Sequence, residues 1–472
     1  MKVRLTFLAA SLLLAACSGP APRLDSGVQP PSAWQSADTP GALQSNRQWW
    51  TQFGSPELER LVEQARLGSY DLAAAVARVR QAEASATIAG APLLPELKAG
   101  LNANRQKLIH GKGYSQLDVS PENRSLDYYD AELSASYEID FWGGNRAARD
   151  SAVFGVQASE FDRATVELTL LSGVANSYTQ ALALREQARI AELNLKNAQN
   201  VLQLVQTRFD AGSATALELA QQKSLVAEQQ RRLPLVQQQA REALISLAAL
   251  LGQPVQALPL PEQSFAQLHW PDIASGVPSD LLSRRPDIAS AEARLAAAQA
   301  DVTVARAAML PKITLTASLG SGADLAADLL RTTFYNLSSG LTAPIFNNGR
   351  LSAERDKAKA RQDELLETYR GAIINGFADV EKALSSIRGL DEQRQWQSEE
   401  LSQAQTAFDI AQSRYQAGAE DLLTVLQTQR TLYAAQDLNV QLRLSRLQAS
   451  IALYKALGGG WGGDLTEMRR MD

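Results

Sequence analysis

Few side chains in this chain are equipped for covalent or metal chemistry. Among 472 residues there are one cysteine, Cys17, and two histidines, His110 and His269. A single thiol excludes an intrachain disulfide framework and a cysteine metal site. Two histidines this far apart in sequence are a poor start for a His-based metal site, which leaves only carboxylate sites open. The chain has no P-loop to cradle a phosphate, no Gly-x-Ser-x-Gly elbow and no His-Glu-x-x-His pair. No catalytic residue, cofactor or metal is therefore expected, and the chain does not read as an enzyme. A net charge of -5 carries no footprint for nucleic acid. The polar chemistry that remains is electrostatic. Asp210, Glu218, Glu420 and Asp421 gather beside two glycines, Gly212 and Gly418.

Those glycines occupy equivalent places in a long internal repeat. Leu204 to Gly252 recurs without a gap as Ile410 to Gly458, displaced by 206 positions. Arg208-Phe209-Asp210-Ala211-Gly212 lies over Arg414-Tyr415-Gln416-Ala417-Gly418, and Leu251-Gly252 over Leu457-Gly458. A repeat of this length implies a duplicated architecture. The first repeat is expected over residues 71–252 and the second over 287–457. A proline-rich connector at 253–286 joins them, and a tail follows at 458–472.

The N-terminus reads as an address. Lys2 and Arg4 precede an almost wholly apolar Leu5 to Ala16, the pattern of a secretory signal peptide covering residues 1–16. Leu14-Ala15-Ala16-Cys17 resembles the bacterial lipobox, which implies cleavage before Cys17 and a diacylglycerol on its thiol. An ordinary signal peptide with an incidental cysteine is the alternative. Residues 18–45, rich in Pro, Ser, Gly and Ala, read as an extended tether within a lipidated segment at 17–70. Ser55 is a candidate N-cap with Pro56 at the first helical position. The aromatics of Trp49-Trp50-Thr51-Gln52-Phe53 read as a hydrophobic staple on the domain below them. No apolar run long enough for a membrane helix follows the signal.

Periodicity then switches between helix and strand. Asp71 to Ala89 is Ala-rich and helical, with Pro92 and Pro95 beyond it. Leu97, Ala99, Leu101 and Ala103 alternate with polar residues. The clearest strand places Tyr129, Ala131, Leu133, Ala135, Tyr137, Ile139 and Phe141 on one face and polar residues on the other. Such a strand is long enough to cross a bilayer, and Tyr128, Tyr129, Phe141 and Trp142 mark its ends. A soluble sandwich strand with one wet face is the competing reading. From Arg146 to Ala211 no proline occurs, which predicts one helix of about 65 residues, roughly 98 Å long at 1.5 Å per residue. Leu171, Val174, Tyr178 and Ala181 step as a coiled-coil seam does. Gly212 turns the chain into a return helix, where Pro234 predicts a kink or local break. The second half repeats the plan: helix from Asp287, strands over Ile313–Gly320 and Tyr335–Ile345, a long helix from Arg350, a turn at Gly418 and a return from Asp421. The short and return helices together hold about as many residues as the long one. This matches two helices stacked end to end beside a third.

The order of signal, short helix, two strands, long helix and return helix, all duplicated, resembles the TolC-like outer membrane factors. The lipobox, Trp49-Trp50-Thr51-Gln52-Phe53-Gly54-Ser55-Pro56 and Leu281-Leu282-Ser283-Arg284-Arg285-Pro286-Asp287 are similar to the lipoprotein branch serving multidrug efflux. The resemblance implies an α+β membrane protein with internal duplication and a homotrimer. Each protomer would give four strands to a twelve-stranded outer-membrane β-barrel, continued by a long periplasmic α-helical barrel with a small mixed equatorial domain. It implies a passive exit duct that docks a periplasmic adaptor and an inner-membrane pump, proton-driven or ABC-type. Cargo is left open among drugs, siderophores and proteins. It further implies that the helix turns form the adaptor-contact tip, here Arg208, Phe209, Ala211, Gly212, Arg414, Tyr415, Ala417 and Gly418. The family's acidic gate positions fall here on Thr424 and Gln427, which carry no charge. The candidate gate is therefore widened to Asp210, Glu218, Glu420 and Asp421, against ordinary surface charge. A pore-free, lipid-anchored periplasmic coiled-coil scaffold is the rival of another class, and the alternating strands argue against it. A ligand-specific porin is disfavoured by the long helices.

Overall fold

The computed structural model describes residues 25–36, 47–107, 109, 125–259, 261–271, 273–329 and 331–461. The signal peptide, Cys17, His110 and the tail beyond Trp461 lie outside the described residues. In chain order the elements are α1 (Pro56–Gly68), α2 (Tyr70–Gly90), β1 (Glu96–Lys107), β2 (Ser125–Ile139), α3 (Gly144–Asp210) and α4 (Ala216–Leu250). Then follow α5 (Pro286–Ala307), β3 (Lys312–Ala323), β4 (Thr333–Thr342), α6 (Arg350–Gln416) and α7 (Leu422–Ala456). Contacts divide the chain into two units. One comprises Met1–Ser26, Val79–Ala158 and Ala291–Tyr369, and the other Gly27–Arg78, Ser159–Ser290 and Arg370–Asp472.

The first unit carries a four-stranded antiparallel sheet in the order β1-β2-β3-β4. Its register decides what each face presents. Leu133 pairs with Ala99 on one side and Leu319 on the other, and Leu319 pairs with Tyr335. One face is thus apolar across all four strands. On the opposite face Ser134 pairs with Lys98 and Ser318, and Ser318 with Asn336. The apolar face is open, whereas on the polar face Ser318 is buried. Leu101, Tyr335, Leu337 and Leu341 are each more than 70% exposed, far more apolar surface than a solvated sheet carries. Among the described residues, the outer edges of β1 and β4 have no partner strand.

Two strand ends differ from the sequence reading. β2 stops at Ile139, before Phe141 and Trp142, because Asp140 leaves the ladder. Its carboxylate accepts the amides of Asn145 and Arg146, both at 2.9 Å, and so starts α3. Burial works to raise the Asp140 pKa, but these bonds and the Arg146 guanidinium outweigh it and hold the carboxyl below its usual range. β4 ends at Thr342 rather than Ile345, with Pro344 unable to donate to a ladder.

In the second unit the α3 seam of Leu171, Val174, Tyr178 and Ala181 is buried, and on α6 Ile373, Phe377, Val380 and Leu384 are buried at the same kind of spacing, with Ile387 half-buried at its end. α3 and α6 hold 67 residues each, and α4 and α7 hold 35 each. α4 runs as one helix through Pro234, so no break occurs. The residue is exposed, and water can take the carbonyl that the missing N–H frees. Each return helix ends against the start of a short one. A Cβ on Gly252 would strike the Gly68 carbonyl, and one on Gly458 the Arg284 carbonyl. Only glycine permits this backbone contact, and both have positive φ, +69° and +87°.

The N-terminal aromatics are core. Trp49 and Phe53 are fully buried, and Trp49 stacks on Tyr454 at 5.2 Å. Ser55 caps α1 by accepting the Leu58 amide at 3.1 Å. The tether reading fails at Trp34, which is buried, edges Phe377 at 6.1 Å and donates to the Ser275 carbonyl at 3.2 Å. In the connector, Arg285 is buried and donates to Asp287 at 2.6 Å and Asp379 at 3.0 Å. Burial raises the Asp287 pKa, but the Arg285 bonds and charge prevail and lower it.

Candidate functional site

The two helix turns, with the helices leading into them, form one cluster. Val201 and Val205 of α3, Leu219 and Leu225 of α4, Phe408 and Tyr415 of α6, and Leu422 and Val425 of α7 share a buried core. The turns are built alike. Ser213 donates to the Arg208 carbonyl at 2.8 Å and Gly212 to Phe209 at 2.9 Å. Ala419 donates to Arg414 at 2.9 Å and Gly418 to Tyr415 at 3.0 Å. This is the Schellman closure, which requires the left-handed backbone that Gly212 (φ +73°) and Gly418 (φ +76°) supply. Each return helix is then capped. Thr215 and Glu218 form a reciprocal capping box, and Asp421 accepts the Thr424 amide at 2.9 Å.

Side chains break the symmetry that the backbone keeps. Tyr415 is 2% exposed, whereas Phe209, its equivalent, is 37% exposed. The Arg208 guanidinium lies 4.5 Å from the Tyr415 ring centre, so it crosses from the first turn to the second. Arg414 stays in its own turn, 3.4 Å from Glu420 and within reach of the Ala419 carbonyl. Ala211 and Ala417 are exposed.

The candidate gate acids are brought to this end, but not into one cluster. Asp210 accepts from Gln206 at 2.9 Å. Glu218 is held by the Thr215 amide at 2.6 Å. Glu420 pairs with Arg414 and accepts from the Thr424 hydroxyl at 3.2 Å. Asp421 is the cap, and the Thr424 amide and hydroxyl depress its pKa. Gln427 is exposed. Among the described residues no group of His, Cys, Asp or Glu is placed to hold a metal ion.

Sequence reasoning missed a set of buried polar side chains in the same cluster. Gln222 and Gln429 are fully buried and Gln229 is 2% exposed. Their signal was available as glutamines at core spacing, with Gln222 and Gln229 one heptad apart.

Repeat, sheet register and tip together define an outer-membrane channel protein. A family model described as outer membrane efflux protein matches residues 61–253 and 277–459, and the chain belongs to that family. It is similar to the pyoverdine export outer membrane protein OpmQ of Pseudomonas aeruginosa, 64% identical over 470 residues and covering 99% of each chain. The OpmQ of Pseudomonas putida is 60% identical over 462 residues, covering 98% of each. Among solved structures, the outer-membrane channel OprN matches 94% of this chain and 99% of its own at TM-score 0.86 and 26% identity. The outer membrane protein VceC of Vibrio cholerae matches 89% and 100% at TM-score 0.81 and 26% identity. The protein is therefore an outer-membrane efflux channel.

Proposed function

We propose that the protein is the passive exit duct of a tripartite export system whose cargo is a pyoverdine-type siderophore. The cargo reading is carried by full-length identity of 64% and 60% to two proteins named for pyoverdine export. Three copies join through the free edges of β1 and β4 into one closed barrel, since four strands leave unpaired backbone that lipid does not tolerate. The apolar face meets lipid and the polar face lines water. Acyl chains on Cys17 add a second anchor, at ~0.8 kcal/mol per buried methylene. An inner-membrane pump, proton-driven or ABC-type, supplies the energy through a periplasmic adaptor.

The adaptor meets the turns at Arg208, Phe209, Ala211, Gly212, Arg414, Ala417 and Gly418, whereas Tyr415, expected among them, is buried beneath Arg208 and can only support the contact from below. Phe209 and Ala211 support this assignment by being exposed at an otherwise well-packed end. Asp210, Glu218, Glu420 and Asp421, with Thr424 and Gln427, line the constriction and make it cation-attracting. Deleting the gene in a producing strain tests the cargo. Siderophore should accumulate in the periplasm and fall outside, and the wild-type gene should restore export. Normal export in the deletion strain, with no second duct expressed, sinks the reading. Mass spectrometry of the mature N-terminus tests acylation, which Cys17→Ala should abolish. Bilayer recordings test the gate. Unchanged ion selectivity and open probability after neutralising all four acids would remove it.

A further inference from the structure

Arg285 engages both acids beside it. Its guanidinium donates to the two oxygens of Asp287 at 3.0 and 2.6 Å, to Asp379 at 3.0 Å and to the Ala456 carbonyl at 3.3 Å. It thereby ties the start of α5 to α6 and to the end of α7. These four residues help line a cavity of about 600 Å³ between α3, α6 and α7. That is the size of a small-molecule site. Two further cations line it, Lys382 of α6 and Lys455 of α7, both exposed. Among the described residues neither ammonium has an ion-pair or hydrogen-bond partner. The lining thus sets three cations against two carboxylates, and Arg285 already holds both carboxylates.

The helix faces decide which way this cavity opens. On α7 the core around Trp49 takes Leu447, Ile451 and Tyr454. Ser445, Gln448 and Lys455 line the cavity instead. At 3.6 residues per turn the two sets lie about a third of a turn apart. On α3 the same core takes Leu171, Val174 and Tyr178, while Thr165 and Thr169 line the cavity from another face. The cavity therefore lies off the core side of these helices. In the closed duct described above, the core side carries the N-terminal aromatics, and the other side is the lumen.

We propose that this groove is a lumenal subsite for a ligand bearing two or more carboxylates, with Lys382 and Lys455 as its contacts. This rests on the channel reading above and names the chemistry that the wall can hold in transit. An ammonium is a compact charge on a flexible stem, so it can follow an oxyanion that is not rigidly placed. Two of them on one cavity favour an anion with more than one acidic group. The groove lies about 50 Å along α7 from Asp421, at 1.5 Å per residue, so its charge acts apart from that of the turns.

The test uses the detergent-extracted, full-length protein and citrate as the probe. Lysine acylation, read by mass spectrometry, should slow about tenfold at Lys382 and Lys455 near saturating citrate. It should stay unchanged at Lys223 and Lys357, which are exposed elsewhere. Acetate at equal ionic strength should protect neither groove lysine. In bilayers citrate should interrupt the open-channel current. The double variant Lys382→Gln, Lys455→Gln should shorten each interruption about tenfold, and Lys382→Arg, Lys455→Arg should restore most of it. No protection by citrate, or equal protection by acetate, overturns the subsite. Protection without interruption of the current in a conducting channel overturns its lumenal placement. A protein that never conducts defeats the channel reading, whereas the acylation result reads the groove itself. Should the double variant fail to assemble, the wild-type acylation pattern decides.

Discussion

The Arg208 guanidinium sits over the ring of Tyr415, with its Nη2 at 3.3 Å from where a Cβ on Gly418 would stand. It is the cross-brace between two turns whose backbones are otherwise repeats of each other. The equivalent brace does not form in reverse, because Arg414 is drawn to Glu420 and Phe209 turns outward. Removing the guanidinium with Arg208→Ala should loosen closure by about 0.5–2 kcal/mol. The expected readout is a higher resting conductance and greater sensitivity of cells to large antibiotics. Arg208→Lys should recover part of the effect, and equal leakage in all three proteins would exclude the brace.

The caps should matter separately from any gating charge. Thr215→Ala removes one half of the capping box and should cost ~1 kcal/mol of helix stability. Exchange should quicken in the first turn of α4 and leave α7 unchanged.

Asp421 gives a pH signature. Its folded pKa lies below 3.8, so its cap is fully present above that value and is lost as pH falls through the lowered pKa. Protection of the first turn of α7 should thus be flat at neutral pH and decline only in acid below 3.8. Asp421→Asn, which keeps a capping oxygen, should flatten the acid response. A decline centred above pH 5 would show that another group titrates.

Glycines with the same local backbone should differ sharply in tolerance. Gly212→Ala meets open space and pays only for its left-handed backbone, ~1–2 kcal/mol. Gly458→Ala adds a collision with the Arg284 carbonyl, so it should lose more than ~2 kcal/mol and lower the yield of assembled protein. Heat-resistant oligomer on gels measures both.

The sheet faces make opposite predictions for charge. Leu133→Arg, on the apolar face, should destabilise membrane insertion by ~2–4 kcal/mol if it lies near the bilayer midplane. Ser134→Arg, one residue along and on the polar face, should insert normally and alter conductance instead. Equal insertion of the two variants would contradict the assignment of faces.

Much of this was written in one dimension. The displacement of 206 positions, the two-residue alternation of β2 and the unbroken stretch after Gly143 each depend on local periodicity. Local periodicity is what fixes element type and which face is apolar. Gly212 and Gly418 were legible for the same reason, since a left-handed turn restricts the residue that can occupy it. Interactions between distant segments were not. The sequence marks Asp140 as one more polar strand residue, yet its carboxylate serves α3 and ends the strand early. It marks Pro234 for a kink or local break, yet α4 continues as one helix through that exposed position. Trp34 looked like tether until Phe377 and Ser275, more than 200 residues away, were brought beside it. The repeat also made the two turns look equivalent. Only the packing of four helices decided that Tyr415 goes in, Phe209 stays out and Arg208 crosses between them. Burial and pairing at the turns depend on which surfaces meet, and no spacing along the chain records that.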